Sequence, residues 1–153
     1  MDLLAPWAEA LAPRGWLGLQ VPGNFGAPSH VLLHEAAVGH PREGAIRAAL
    51  RRPPSGEPQD YLRALLATGL TVDAWETTYP HVLDAAGTRE HPVLDWVSGT
   101  GLRPVLQALA DEGARAAYVQ RYAALLGAAY PRTPSGVVLP FRRIFAVGRK
   151  GAS

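Results

Sequence analysis

The chain has no cysteine, one methionine and, in Lys150, one lysine. Without cysteine there is no disulfide, no thiolate metal site and no cysteine nucleophile. No 18-residue stretch is uninterruptedly apolar, which excludes a conventional membrane-spanning helix. The opening MDLLAPWAEALAPRG lacks the basic start of a secretory signal. Charge is sparse: 18% of residues are charged and the formal net charge is +2, too weak a field to draw the chain to nucleic acid or a lipid surface. The arginines are dispersed, with no basic-aromatic motif. The expectations are a cytoplasmic chain, no membrane, no nucleic acid and no metal.

What is present is a 153-residue chain, 48% hydrophobic and rich in Ala, Gly and Pro. Its arginines, each a planar fork, suit carboxylates. Leu3, Leu4, Trp7 and Leu11 stand at helical spacing before the stop Pro13-Arg14-Gly15. WLGLQV, residues 16–21, reads as a buried strand closed by Pro22-Gly23-Asn24. Ser29 is placed to cap a helix over 30–38, 42–50 predicts a second, and RRPPSGEPQD, residues 51–60, predicts a loop. Asp60 predicts a cap for a helix over 61–68 stopped by Gly69, and LTVDAWETTY, residues 70–79, a strand. Two short helices flank VSGTG, a longer one runs over 111–130, TPSG is a turn, and VVLPFRRIFAVGRK is a last strand.

The spacing thus predicts one partial α/β domain over 1–153 with about three strands. Its parts are a helix plus core strand (1–23), a helical segment and loop (24–60), and a helix plus strand (61–81). A helical stretch (82–131) and a last strand (136–150) complete it. Three strands make a thin sheet, and the first has no earlier strand to pair with.

The strings PSHVLLHEAA, DAWETTYPH and LDWVSGTGLRP, in that order and with these spacers, resemble trans-aconitate methyltransferases. The closing LPFRRIFAVGRK and the opening LLAPWAEALAPRGWLGLQVPGNF resemble the same family. The likeness covers nearly the whole chain and implies the C-terminal part of a doubly wound, Rossmann-like sheet, strands five to seven, with a substrate-side helical insertion. It also implies S-adenosylmethionine as cofactor and methyl transfer from its sulfonium to a carboxylate of a small polycarboxylic acid, giving a monomethyl ester. A carboxylate is ionised at neutral pH, so no general base is required. The glycine-rich cofactor loop, expected after an early strand, has no counterpart: VPGNFG has the wrong spacing and WVSGTG follows a helix. The expectation is a truncated reading frame or a cofactor-binding half on a separate N-terminal chain. The alternatives are an inactive remnant and an enzyme of this architecture for another small acid.

Arg103 is the first candidate ligand, because Pro104 suits N1 of a helix and a guanidinium there meets a carboxylate with two parallel bonds. Ser98 and Thr100 offer hydroxyl donors and Trp96 a wall. Tyr79 and His81 stand where a strand is predicted to end, the region where ligands collect in α/β sheets. Asn24 follows the first strand, and His30 starts a helix. His30 and His34 are four apart, a metal-compatible spacing with no third ligand; His34 reads as surface or packing. Arg121 and Tyr122 read as solvated, and alternation sends Arg142 and Arg143 to opposite faces of the last strand.

Overall fold

A computed structural model describes residues 1–50 and 55–152. Within them the chain forms two units, and two of the boundaries between them fall inside the two longest strands.

The first unit comprises Met1–Asn24, Pro53–Tyr79 and Phe141–Ser153. Strand β1 (Trp16–Pro22) pairs antiparallel with β4 (Gly136–Arg149), in register from Trp16 opposite Arg149 to Pro22 opposite Arg143. Strand β2 (Thr71–Leu83) lies on the far side of β4, giving the order β1-β4-β2. Alternation sets one face against helices α1 (Leu4–Glu9) and α4 (Pro58–Leu66). Leu17, Leu19, Val21, Val72, Ala74, Ile144 and Ala146 meet Leu4, Ala8, Tyr61 and Leu65 there. The opposite face carries Trp16, Gly18 and Gln20 of β1, all exposed. On it Trp75 stacks on Phe145 at 5.3 Å and Tyr79 lies 5.9 Å from Phe141, yet both stay exposed.

Three expectations need correction here. Helix α4 begins at Pro58, inside the expected loop, with Glu57 as N-cap. Asp60 is its third residue and takes the Glu57 amide at 2.9 Å, reaching back across the first turn. Proline fits that start because its missing N–H is an orphan donor anyway. The first part of the expected loop, 51–54, lies outside the described residues. Strand β2 does not stop at Tyr79 but continues through Pro80 and His81 to Leu83. As the end of the β1-β4-β2 order it can hold a proline, which has no ladder hydrogen to lose on an outer side.

The second unit comprises Phe25–Arg52 and Pro80–Pro140. Its axis is α7 (Glu112–Ala129), capped by Asp111, whose carboxylate accepts the Ala114 amide at 2.7 Å. Tyr118, Tyr122 and Leu126 of α7 meet Leu33 and Ala36 of α2 (Pro28–Ala37) and Ile46 of α3 (Glu43–Ala49). Val97 of α5 (Pro92–Ser98) and Val105 of α6 (Arg103–Ala108) close the same core. Helix α2 starts a residue pair earlier than expected: Ala27 is its N-cap, Pro28 fills the first turn, and Ser29 is buried inside it. Tyr122, expected on a solvated face, is fully buried.

The two-residue β3 (Arg132–Thr133) turns into β4 through TPSG. Gly136 takes φ +110° there, and a Cβ would stand 2.6 Å from the Leu83 carbonyl oxygen. Only glycine meets both conditions. After β2, the Asp84 carboxylate accepts the Arg89 and Thr88 amides and pairs with Arg132 at 2.8 Å. The Arg89 amide above all holds that carboxyl well below the usual range.

Candidate functional site

Helix α5 ends at Ser98, and Gly99–Leu102 turn the chain into α6. Leu102 is buried in the core of the second unit and anchors the elbow. The elbow's own hydroxyls are already engaged as donors: Ser98 Oγ to the Leu94 carbonyl at 2.7 Å, Thr100 Oγ1 to the Val97 carbonyl at 3.3 Å. They are not spare donors for a carboxylate in this arrangement. Arg103 is the first residue of α6 and Pro104 the second, one position later than expected. With six residues and a proline in its first turn, α6 has little helix-end charge to offer, so the guanidinium is the anion-binding group of this stretch. Arg103 is exposed and makes no hydrogen bond or ion pair among the described residues.

The elbow lies against the start of α2. A Cβ on Gly101 would sit 3.3 Å from a Leu33 methyl and 3.7 Å from His30 Nε2, so glycine there lets the two segments meet. The His30 ring is edge-on to Phe25 at 5.2 Å, and its Nδ1 is 3.3 Å from Ser29 Oγ. When Ser29 donates to Nδ1, Nε2 carries the ring hydrogen, a donor directed at the elbow. Burial lowers the His30 pKa below the ordinary histidine value, so the ring is neutral at neutral pH.

Of the residues expected at the site, His30, Thr100, Trp96 and Arg103 fall in the second unit. Trp96 packs against its core. His81 also belongs to that unit; it lies within β2 rather than in a turn after it, and is exposed. Asn24 and Tyr79 belong to the first unit. Asn24 is buried and its Oδ1 accepts the Arg142 amide at 2.7 Å, a bond that fastens the end of β1 to β4. Arg142 is gripped by Glu57 and Glu76, whose hydrogen bonds raise its pKa, while Arg143 lies 4.3 Å over the Phe141 ring. His34 is exposed on α2. Phe25 and Gly101, which frame His30, were not among the expected residues; Gly101 carried a signal, as a glycine two before an arginine.

Two cavities of the second unit lie elsewhere. One of about 340 Å³ is walled by Ala27, Pro28, Tyr130, Pro131 and Val138, with no charged residue among the described residues that line it. Another of about 210 Å³ includes Arg132, but that guanidinium is taken by Asp84 and by the Arg89 carbonyl. Among the described residues no group of three or more potential ligands could hold a metal, and no helix is long and apolar enough to cross a membrane.

No family model matches the chain. It is 50% identical over 151 residues to a trans-aconitate 2-methyltransferase of Streptomyces coelicolor, covering 97% of this chain and 48% of that protein. A trans-aconitate 2-methyltransferase of Streptomyces avermitilis is 48% identical over 153 residues (99% and 55%), and one of Mycobacterium tuberculosis is 41% identical over 155 (99% and 58%). The chain therefore spans about half the length of the curated relatives it matches. It is homologous to the C-terminal part of class I methyltransferases, and its mixed α/β layers are that part of their fold. The particular relatives are trans-aconitate 2-methyltransferases, as the quoted strings had suggested.

Proposed function

We propose that this chain is the substrate-side half of an S-adenosylmethionine-dependent methyltransferase for trans-aconitate or a closely related small polycarboxylic acid. The observation that carries this reading is Arg103: an exposed guanidinium without a partner among the described residues, two residues after Gly101, where a Cβ would lie 3.7 Å from His30 Nε2, in a chain homologous to enzymes named for a tricarboxylate. Its fork holds a carboxylate that is not to react, His30 Nε2 supplies a further donor, and Trp96 and His81 of the same unit complete the proposed substrate set. Thr100, whose hydroxyl proton is engaged by the Val97 carbonyl, contributes a backbone approach and no hydrogen bond from its side chain.

The residues described do not fit the cofactor. The glycine after β1, Gly23, is packed against Ile144 and Arg142 side chains, a Cβ there lying 3.0 Å from Ile144, and Asn24 is committed to β4. Gly99 and Gly101 follow a helix. The methyl donor is accordingly assigned to a partner region that corresponds to the part of the relatives this chain does not match. The exposed Trp16, Trp75 and Tyr79 and the outer edge of β1, which is free of charged side chains, support such a partner.

The test mixes this chain with the N-terminal part of the Streptomyces coelicolor relative, the part this chain does not match. Methyl transfer from S-adenosylmethionine to trans-aconitate is followed by mass spectrometry. The monomethyl ester is expected from the mixture and from neither piece alone. Ester formed by this chain alone overturns the two-half reading, and a chain that binds no trans-aconitate in calorimetry overturns the substrate reading.

A further inference from the structure

Resting on that carboxylate-binding reading, we infer that Tyr122 and Tyr130 are positioning residues: they grip residue 29 by both its peptide groups and so set His30 against the elbow that leads to Arg103. The Tyr122 hydroxyl donates to the Ser29 carbonyl, and the Ser29 amide donates to the Tyr130 hydroxyl at 3.0 Å. The two contacts reach residue 29 from α7 and its C-cap, 93 and 101 residues further along the chain.

Helix α2 needs such a tie. Its N-cap is Ala27, which has no side-chain acceptor, its first turn holds no acidic residue, and proline occupies its first position. Nothing local fixes where that turn points. His30 stands on it and faces Gly101, where an added Cβ would be in van der Waals contact with Nε2 at 3.7 Å. A small rotation of the turn therefore separates His30 Nε2 from the elbow, while the core behind, led by Leu33 and Ala36, stays in place.

The chemistry of the two tyrosines fits a clamp rather than filler. Phenylalanine would fill the same space, whereas a buried phenol must find a partner, and each of these finds backbone of the same residue. Burial pushes the Tyr122 phenol above its ordinary pKa, so it keeps its proton as a donor. Tyr118 makes the same kind of bond one turn further along, from its hydroxyl to the Leu33 carbonyl at 2.8 Å, and supplies an internal control.

Three single variants of the full chain, Tyr130→Phe, Tyr122→Phe and Tyr118→Phe, are compared with the parent after circular dichroism has established that each is folded. Two readouts are taken: the nuclear Overhauser contact between the His30 ring and the Gly101 α-hydrogens, without ligand, and the dissociation constant for trans-aconitate. Tyr130→Phe and Tyr122→Phe are expected to lose the contact and to bind about five- to tenfold more weakly, the yield of one lost hydrogen bond. Tyr118→Phe is expected to lower the melting temperature and leave both readouts unchanged. If Tyr122→Phe does not fold, Tyr130→Phe decides, because Tyr130 is the C-cap of α7 rather than a residue within the helix. Retention of the contact in the first two variants, or equal loss in Tyr118→Phe, overturns the clamp. If the parent binds no trans-aconitate, the substrate reading fails and the contact alone decides the clamp.

Discussion

In the proposed site, Arg103 and His30 divide the work of holding an anion between a permanent charge and a ring that is neutral when unliganded. Arg103 is exposed, so replacing it should leave stability within about 0.5 kcal/mol, the usual range for an isolated surface site. Its loss should show in binding: Arg103→Ala is expected to weaken trans-aconitate at least tenfold in calorimetry. Arg103→Lys should recover only part, since a point charge cannot make the paired bonds of a guanidinium. His30 makes a pH prediction. Its folded pKa lies below the ordinary value near 6.5, so between the two values the unfolded chain binds more protons and stability falls as pH drops through that window. The urea midpoint should therefore decline from pH 7.5 to 5.5, and less so in His30→Asn. A bound carboxylate pulls the other way by favouring the charged ring. Binding near pH 6.5 should take up protons in the parent and not in His30→Asn, as calorimetry in two buffers of different ionisation heat would reveal.

Single elements carry constraints that no one contact expresses. The hairpin from β3 into β4 depends on Gly136, where a left-handed φ and the Leu83 carbonyl leave no space for a side chain. Gly136→Ala is expected to cost about 1–3 kcal/mol or more in urea unfolding, as strained conformations and buried clashes do. A cost within error would mean the turn re-forms with another geometry. Helix starts were the least legible feature of the sequence, for a consistent reason. Ser29 and Asp60 are good capping residues, but Pro28 and Pro58 each sit closer to the true start, and a proline's fixed φ is already helical. Strand β2 was underestimated at the opposite end, because Pro80 reads as a breaker until the strand is known to be outermost. By contrast the extents of β1 and α7 were legible from apolar runs, whereas their faces were not: β1, read as buried, alternates between exposed and half-buried residues, and Tyr122 lies in the core.

For the molecule as a whole, the first unit buries one face of its sheet and leaves aromatic rings on the other. Trp16 is 64% exposed on a strand whose outer edge bears no charge. Such an edge templates further pairing, so sedimentation should detect concentration-dependent self-association of the isolated chain. Trp16→Lys together with Gln20→Lys should suppress it without lowering the melting temperature. Unchanged association would place the contact elsewhere. If an N-terminal half is the true occupant, the same double variant should also weaken reconstitution.

The sequence by itself determined the class of layers, the near-complete likeness to one methyltransferase family and the candidacy of Arg103. All three rest on local periodicity or on strings of adjacent residues. Only the tertiary structure decided which candidates have free bonding capacity. Ser98 and Thr100 turned out to donate to carbonyls of α5, Asn24 to fasten two strands, and Arg142 to be held by two glutamates. The tyrosines that hold residue 29 belong to the same lesson. A hydrogen-bonding group's availability depends on partners that reach it from as far as 101 residues along the chain, and no local pattern records them.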